Sequence, residues 1–299
     1  MTRRRLVMGV AFAAGCASRS GGPVAASAPV TPAATAPSPP APGDQPAARR
    51  FDAVRYGPSA LRYLVHRRVH IEQALGGQTQ VQDLGVRVYV AATISGPADS
   101  VGYPATFTVD SMVADSGAPL PPPIADNVSR ARRLIFSGRL VARGEFVKAM
   151  PSDSALAQSL VQLLANFRDF LPRIPSDGLK PGVAWTDTLE STQKGSSSEI
   201  SRRAILRSAA AAWEDHAGAR SLRLEASSTY QVAGAGQNAG QPFDLSGSGS
   251  ATAVSFITAD GRYLGGQSRD STTLTVRLTV QGVAIPVTQV THTTVAVLP

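Results

Sequence analysis

The strongest constraint on the fold of this chain is a two-residue alternation of apolar and polar side chains, which recurs from about residue 51 onward. Clear examples lie at residues 63–71, 86–94, 103–113 and 274–287. Because successive side chains of a strand point to opposite faces of a sheet, this period predicts half-buried antiparallel strands. A hairpin signal at Asp260-Gly261 precedes the last of these runs. The pattern predicts nine or ten strands.

The middle of the chain changes to helical spacing. A first helix is predicted over residues 125–136, followed by a strand or tight hairpin that turns near Arg143-Gly144. A second, clearer helix is predicted to begin at a Ser152 cap and to end before Pro172. This helix carries an apolar stripe along one face, made of Leu156, Leu160, Leu163, Leu164, Phe167 and Leu171.

Residues 199–216 admit two interpretations. The alanines at 209–212 favour a helix, whereas the residues before and after them favour a long hairpin that turns near Ala217-Gly218. We predict strands and keep the helix as the alternative. The predicted fold class is mainly β with a helical insertion (α+β) at about residues 124–171. A single domain, residues 50–299, would form a long curved antiparallel sheet or half-barrel packed on one amphipathic helix.

The first sixteen residues, "MTRRRLVMGVAFAAGC", have the organisation of a secretory signal. Three arginines precede an uncharged apolar run at residues 6–14, which is about half the roughly 20 residues that a membrane-spanning helix needs. The stretch Ala-Ala-Gly-Cys resembles the lipobox of bacterial lipoproteins, with Ala13 where that family usually has Leu. The resemblance implies removal of residues 1–15 and acylation of Cys16. The alternative is an ordinary signal cut later, for instance after Ala28.

Residues 16–49 are dominated by Ala, Pro and Ser and contain almost no large apolar side chains. Such a segment cannot bury enough surface to offset its ordering entropy, so a disordered tether is predicted. The predicted architecture also resembles the half-barrel of the outer-membrane lipoprotein carriers. The string "LKPGVAWTDTLE", with the Gly-rich strands that follow, resembles a group of uncharacterised bacterial secreted β-proteins. These resemblances imply a fold and supply no activity.

Composition excludes several classes of function. Residues 1–15 hold three of the 29 Lys and Arg residues and none of the 21 acidic ones, so the rest of the chain carries only +5. No dense basic stripe or nucleic-acid motif is present, and we expect no nucleic-acid partner. Cys16 is the only cysteine, which excludes disulfides from the folded part. His66 and His70 lie four apart, about 13 Å along a strand, and would not share a metal ion.

The sequence contains no catalytic constellation, no nucleophile elbow and no phosphate-binding loop. We therefore expect no catalytic residue, no metal and no cofactor. The chain is therefore predicted not to be an enzyme. The first hypothesis is a binding module that holds a lipid or other amphiphile in a cleft between sheet and helix. Its candidate lining residues are Leu160, Leu164, Phe167 and Trp185. The alternative is a non-catalytic envelope interaction or structural protein that acts through a protein partner.

The predicted location follows from the lipobox. A triacylated Cys16 would partition into a bilayer and hold the domain at the cell envelope. Ala17 follows the cysteine, where in some bacteria an Asp keeps lipoproteins in the inner membrane. The resemblance therefore favours the outer membrane, with the domain facing the periplasm. The sequence does not indicate an oligomeric state.

Overall fold

A computed structural model of the chain describes residues 53–115, 120–161, 163–164, 167–194, 198–238 and 240–299. The signal, Cys16 and the tether predicted at 16–49 lie outside these residues. The described part contains eleven strands: β1 (Ser59–Leu75), β2 (Gln78–Ile94), β3 (Tyr103–Ala114), β4 (Ile135–Leu140), β5 (Phe146–Pro151), β6 (Ala184–Lys194), β7 (Ser198–His216), β8 (Ala219–Asn238), β9 (Gln241–Thr258), β10 (Tyr263–Leu278) and β11 (Val283–Leu298).

The eleven strands of the described part form a single sheet in the order β5-β4-β3-β2-β1-β11-β10-β9-β8-β7-β6. All neighbouring pairs are antiparallel, and the first and last strands, β1 and β11, pair with each other in the centre. The sheet is not closed, and β5 and β6 are its edges. The mainly β fold with a long curved sheet is thus confirmed, with one or two more strands than the sequence predicted.

The sheet curves so strongly that side chains of non-neighbouring strands meet across its inner face. Arg202 on β7 lies 3.8 Å from Asp270 on β10, measured from Nη2 to Oδ2, with two strands between them. At the open side, Arg143 in the β4–β5 turn forms an ion pair with Asp187 on edge strand β6. This ion pair joins the two ends of the sheet.

The predicted turns and alternation are confirmed in most strands. The turns at Arg143-Gly144 and Asp260-Gly261 each connect two consecutive strands. Residues 199–216 all lie in β7, and Ala217-Gly218 connects β7 to β8. The strand interpretation of this segment is therefore correct.

Strand β3 departs from the predicted alternation near its end. A bulge shifts the β2–β3 register, so that Tyr89 pairs with Ser111 and Val90 with Val109. The extra residue moves Met112 into the core and leaves Val113 42% exposed. The sequence pattern had placed Val113 on the inner face, because a bulge changes which face each later residue occupies.

The helical insertion is shorter and more broken than predicted. The first helix, α1, spans Pro122–Arg130 instead of residues 125–136. Ile135 and Phe136 instead pair in β4 with Thr108 and Phe107 of β3. Pairing with the sheet therefore overrides the local helical preference of this segment.

The second helix, α2, spans only Ser154–Ser159, and its cap is Asp153, not Ser152. The Asp153 carboxylate accepts a hydrogen bond from the Leu156 N–H at 2.9 Å. A 3-10 turn at Phe167–Asp169 follows after a further turn around Leu160. No helix in the described part of the chain is long and apolar enough to cross a membrane.

Aromatic contacts join the end of the insertion to the inner face of the sheet. Phe167 stacks on Phe107 of β3, with ring centroids 5.2 Å apart. Phe170 makes edge contacts with Tyr63 of β1 and Tyr263 of β10, at 5.2 and 5.9 Å. Phe170 also contacts Phe107 at 5.3 Å, so this one ring reaches β1, β3 and β10 because the sheet curves around it. We name the described residues between 153 and 179 the covering segment.

Candidate functional site

Buried apolar side chains on the inner face form two separate clusters. One contains the covering segment and β1–β3, and the other lies at the far ends of β8–β11. Between them, the inner face of β8–β10 carries a belt of small residues, Ala226, Ser228, Ala253, Ser255, Gly266 and Ser268. These side chains are too short to reach the opposite wall, so the inner face stays unfilled at this level.

A cavity of about 340 Å³ lies at this small-residue belt. Phe170 and Leu171 of the covering segment line it on one side. Leu189 on β6, Leu206 on β7 and Leu224 on β8 contribute to its apolar wall. The volume falls within the range of small-molecule binding sites, which are mostly apolar with a few polar groups.

Two arginines on the inner face also line the cavity. Arg67 on β1 lies between Val65 and Val69 of the buried face, and its Nη1 donates to Thr293 Oγ1 at 3.4 Å. Burial lowers the pKa of Arg67, and the negative charge of Asp270 partly offsets this effect. Arg202 on β7 has a side chain only 17% exposed. Its Nε is buried and has no hydrogen-bond partner among the described residues.

Arg202 is held by an aromatic ring. Its guanidinium carbon lies 3.6 Å from the ring centroid of Tyr230 on β8. The Tyr230 hydroxyl donates to Asp270 Oδ1 at 2.5 Å. Burial and then the charge of Asp270 raise the pKa of Tyr230, so its phenol stays a donor. Gly249 on β9 lies under this ring, and a methyl group there would clash with it.

A second charged cluster joins the covering segment to the β4–β5 turn. Glu145 forms ion pairs with Arg168 and Arg173, and Arg173 also pairs with Asp169 at 2.8 Å. Burial alone would raise the pKa of Glu145, but the two arginines outweigh it and hold this pKa below its usual value. The cluster contains two negative and two positive groups, so it adds no net charge at the cavity.

The four residues proposed from sequence as cleft lining are placed differently. Leu160, Leu164 and Phe167 are fully buried in the core between the covering segment and the sheet. Trp185 on β6 is half-buried and packs against the same core, with an Nε1 that has no partner among the described residues. None of the four is among the residues that line the 340 Å³ cavity.

Two of the four histidines, His66 and His70, are engaged on the outer surface. His66 Nε2 lies 2.8 Å from Asp115 Oδ2, and His70 contacts Asp83 at 2.7 Å and Glu72 at 3.1 Å. Both histidines lie on β1, as predicted. Among the described residues, no three His, Cys, Asp or Glu side chains are grouped so that they could hold a metal ion.

Sequence reasoning missed Arg67, Arg202 and Asp270. One signal was present: Arg67 occupies the apolar side of the alternation in β1, between Val65 and Val69, where a charged side chain is unexpected. Arg202 and Asp270 have no such local signal, because their proximity depends on the curvature of the sheet.

Comparison with known proteins adds little. No family model and no curated protein matches this chain. One matching solved structure is that of OccK2 (OpdF) from Pseudomonas aeruginosa, with 10% sequence identity and a TM-score of 0.28. The match covers 80% of this chain and 98% of that chain. A TM-score this low does not mark a shared fold, and no function is transferred from it.

Proposed function

We propose that this protein is a membrane-tethered lipoprotein whose β-rich domain binds one lipid or other amphiphile, without catalysis. The observation that carries the proposal is the 340 Å³ cavity between the covering segment and the small-residue belt. A core that only needed to be filled would carry larger side chains here, since interiors are otherwise close-packed. The acyl tail of the amphiphile would occupy this volume.

The walls of the cavity suit an acyl tail. Phe170, Leu189 and Leu224 present apolar surface to it. Moving one methylene from water to such surroundings contributes about 0.8 kcal/mol. The covering segment is held over the cavity by aromatic contacts and by the Glu145 ion pairs.

The N-terminal sequence supports the location. An acylated Cys16 followed by the Ala/Pro/Ser-rich tether would hold the domain beside a bilayer, where amphiphiles are abundant. Ala17 supports the outer membrane and a periplasmic domain. We therefore expect the membrane, through the lipid anchor, and a single amphiphilic ligand as partners.

A neutral fluorescent probe tests the binding function. A full chain with the substitution Cys16→Ser, purified without detergent, has no acyl chain of its own to compete. Titration with N-phenyl-1-naphthylamine should give a saturable rise in fluorescence with one site per chain, because this probe brightens in apolar surroundings. A signal that never saturates, or none at all, would contradict amphiphile binding.

A second candidate, a non-catalytic envelope interaction protein, is favoured by one observation. Edge strand β6 pairs only with β7 in the described part, and an edge strand offers backbone groups to another chain. Asp187 points inward from β6, and an inward-pointing charge on an edge strand limits its pairing with other chains. Crosslinking from β6 in intact cells, together with an empty cavity, would favour this alternative.

A further inference from the structure

The charges that line the cavity do not cancel. Asp169 and Arg173 pair with each other, and Glu225 points to the outer face, where it contacts Arg223 at 2.9 Å. The remaining charges that act on the cavity are the two inner arginines, Arg67 and Arg202, and the carboxylate of Asp270. Counted over the described residues, these three groups carry two positive charges and one negative charge, an excess of one positive charge.

Asp270 is already committed to other groups. Besides the Tyr230 hydroxyl, it accepts a hydrogen bond from Thr272 Oγ1 at 3.0 Å. Its distance to Arg202, 3.8 Å, is longer than that of a hydrogen bond. Arg202 therefore keeps an ion-pair partner but does not use its Nε–H, which has no acceptor among the described residues.

A guanidinium in this position is costly unless something compensates it. Burying a charge away from water is unfavourable, and a buried donor without an acceptor adds to that cost. The side chain is nevertheless fixed, because the Tyr230 ring lies under the guanidinium plane and Gly249 leaves room for that ring. An unsatisfied, oriented arginine at a cavity wall is suited to receive an anion from a ligand.

We propose that the amphiphile bound in the cavity is anionic, and that Arg202 and Arg67 hold its carboxylate or phosphate head while the tail lies against Phe170 and Leu224. The inference rests on the proposed amphiphile binding. A carboxylate or phosphate head beside Arg202 accepts hydrogen bonds from its guanidinium group and neutralises the excess positive charge. A neutral hydroxyl head can accept a hydrogen bond but leaves the charge uncompensated, and a trimethylammonium head neither accepts a hydrogen bond nor compensates the charge.

Four amphiphiles with twelve-carbon chains test the inference by displacement of N-phenyl-1-naphthylamine from the Cys16→Ser chain, below their micelle concentrations at pH 8. Laurate and dodecyl phosphate should displace the probe at about tenfold lower concentration than dodecanol. Dodecyltrimethylammonium should be the weakest. Comparison of the two anions identifies the preferred head, and a preference for either supports the proposal.

Two neighbouring arginines provide a matched pair of variants. R202Q should remove most of the preference for laurate over dodecanol, measured as the ratio of their displacing concentrations. R203Q changes the next residue, which is on the outer face with a 72% exposed side chain, and should keep the preference. R202K, which retains the charge but not the planar fork, should give an intermediate preference if R202Q does not fold.

Failure of the anionic-head proposal can be distinguished from failure of the proposed amphiphile binding. Equal displacement by dodecanol and laurate, or stronger displacement by dodecyltrimethylammonium, would overturn the anionic head while leaving amphiphile binding intact. If the probe does not bind and no dodecyl compound binds by calorimetry, the proposed function itself fails.

Discussion

Filling the cavity from its floor should abolish binding without unfolding the sheet. Ala253 on β9 is half-buried, faces the cavity and pairs with Ala226 on β8 and Ser268 on β10. Since both neighbours in register are also small, a phenylalanine at this position can extend into open space. The substitution A253F therefore places a ring where the tail of the ligand would lie.

The size of the effect follows from the volume that the ring takes. If the ring displaces about four methylenes of a tail, the loss is about 3 kcal/mol at about 0.8 kcal/mol each. This free energy corresponds to an increase of about 200-fold in Kd. The free energy of unfolding should not fall, because the ring fills space instead of creating a cavity.

Probe titration of A253F and a control measures this prediction. Ala235 on β8 is exposed on the outer face, so A235F adds the same ring without touching the cavity. We expect weak binding only for A253F, with similar thermal unfolding midpoints for both variants. If A253F binds N-phenyl-1-naphthylamine as tightly as the parent chain, the tail lies elsewhere and the reasoning is refuted.

Three further substitutions or titrations test the surroundings of the cavity. G249A should cost about 1–3 kcal/mol of stability in urea unfolding, because its methyl group would overlap the Tyr230 ring; unchanged stability would contradict that packing. E145Q should cost about 2 kcal/mol at pH 7, a difference that should vanish as the pH falls through the lowered pKa of Glu145. His70 should titrate above its ordinary pKa in NMR spectra, first because of its hydrogen bond to Asp83, and D83N should lower that value. Because the folded pKa of His70 is raised, its contribution to stability is present at acidic pH and lost as the pH rises through that value.

The sheet could be predicted largely from sequence because its signals are local. Period-2 alternation and turn residues such as Asp260-Gly261 depend only on neighbouring positions. The β2–β3 bulge could not be predicted in this way, since nothing in the sequence around Val113 marks the extra residue. The alanines of β7 were ambiguous because their helical propensity opposes the alternation around them.

The helices were predicted less well because tertiary contacts override local preference. Phe136 falls at the end of the helix predicted over residues 125–136, but in the structure it pairs with Phe107 in the sheet. The stripe from Leu156 to Leu171 was correctly identified as apolar, and its leucines are buried. Its division into α2 and a 3-10 turn accompanies the packing of Phe167 and Phe170 against the same ring, that of Phe107 on β3.

The candidate site was the least predictable part. The four residues chosen from sequence were large and apolar, yet the cavity lies where side chains are small. Its charges come from β1, β7 and β10, and their convergence depends on how far the sheet curves. Only Arg67 carries a signal in the sequence, as a charge on the buried side of an alternating strand.

The position of a heavy atom on the ligand tests the central claim most directly. A crystal of the Cys16→Ser chain grown with 12-bromododecanoate should show one anomalous bromine peak inside the cavity, beside the wall that Phe170 and Leu224 form. The carboxylate should lie toward Arg202. A bromine peak on the outer face of the sheet, or a cavity that holds only water in such a crystal, would contradict the account.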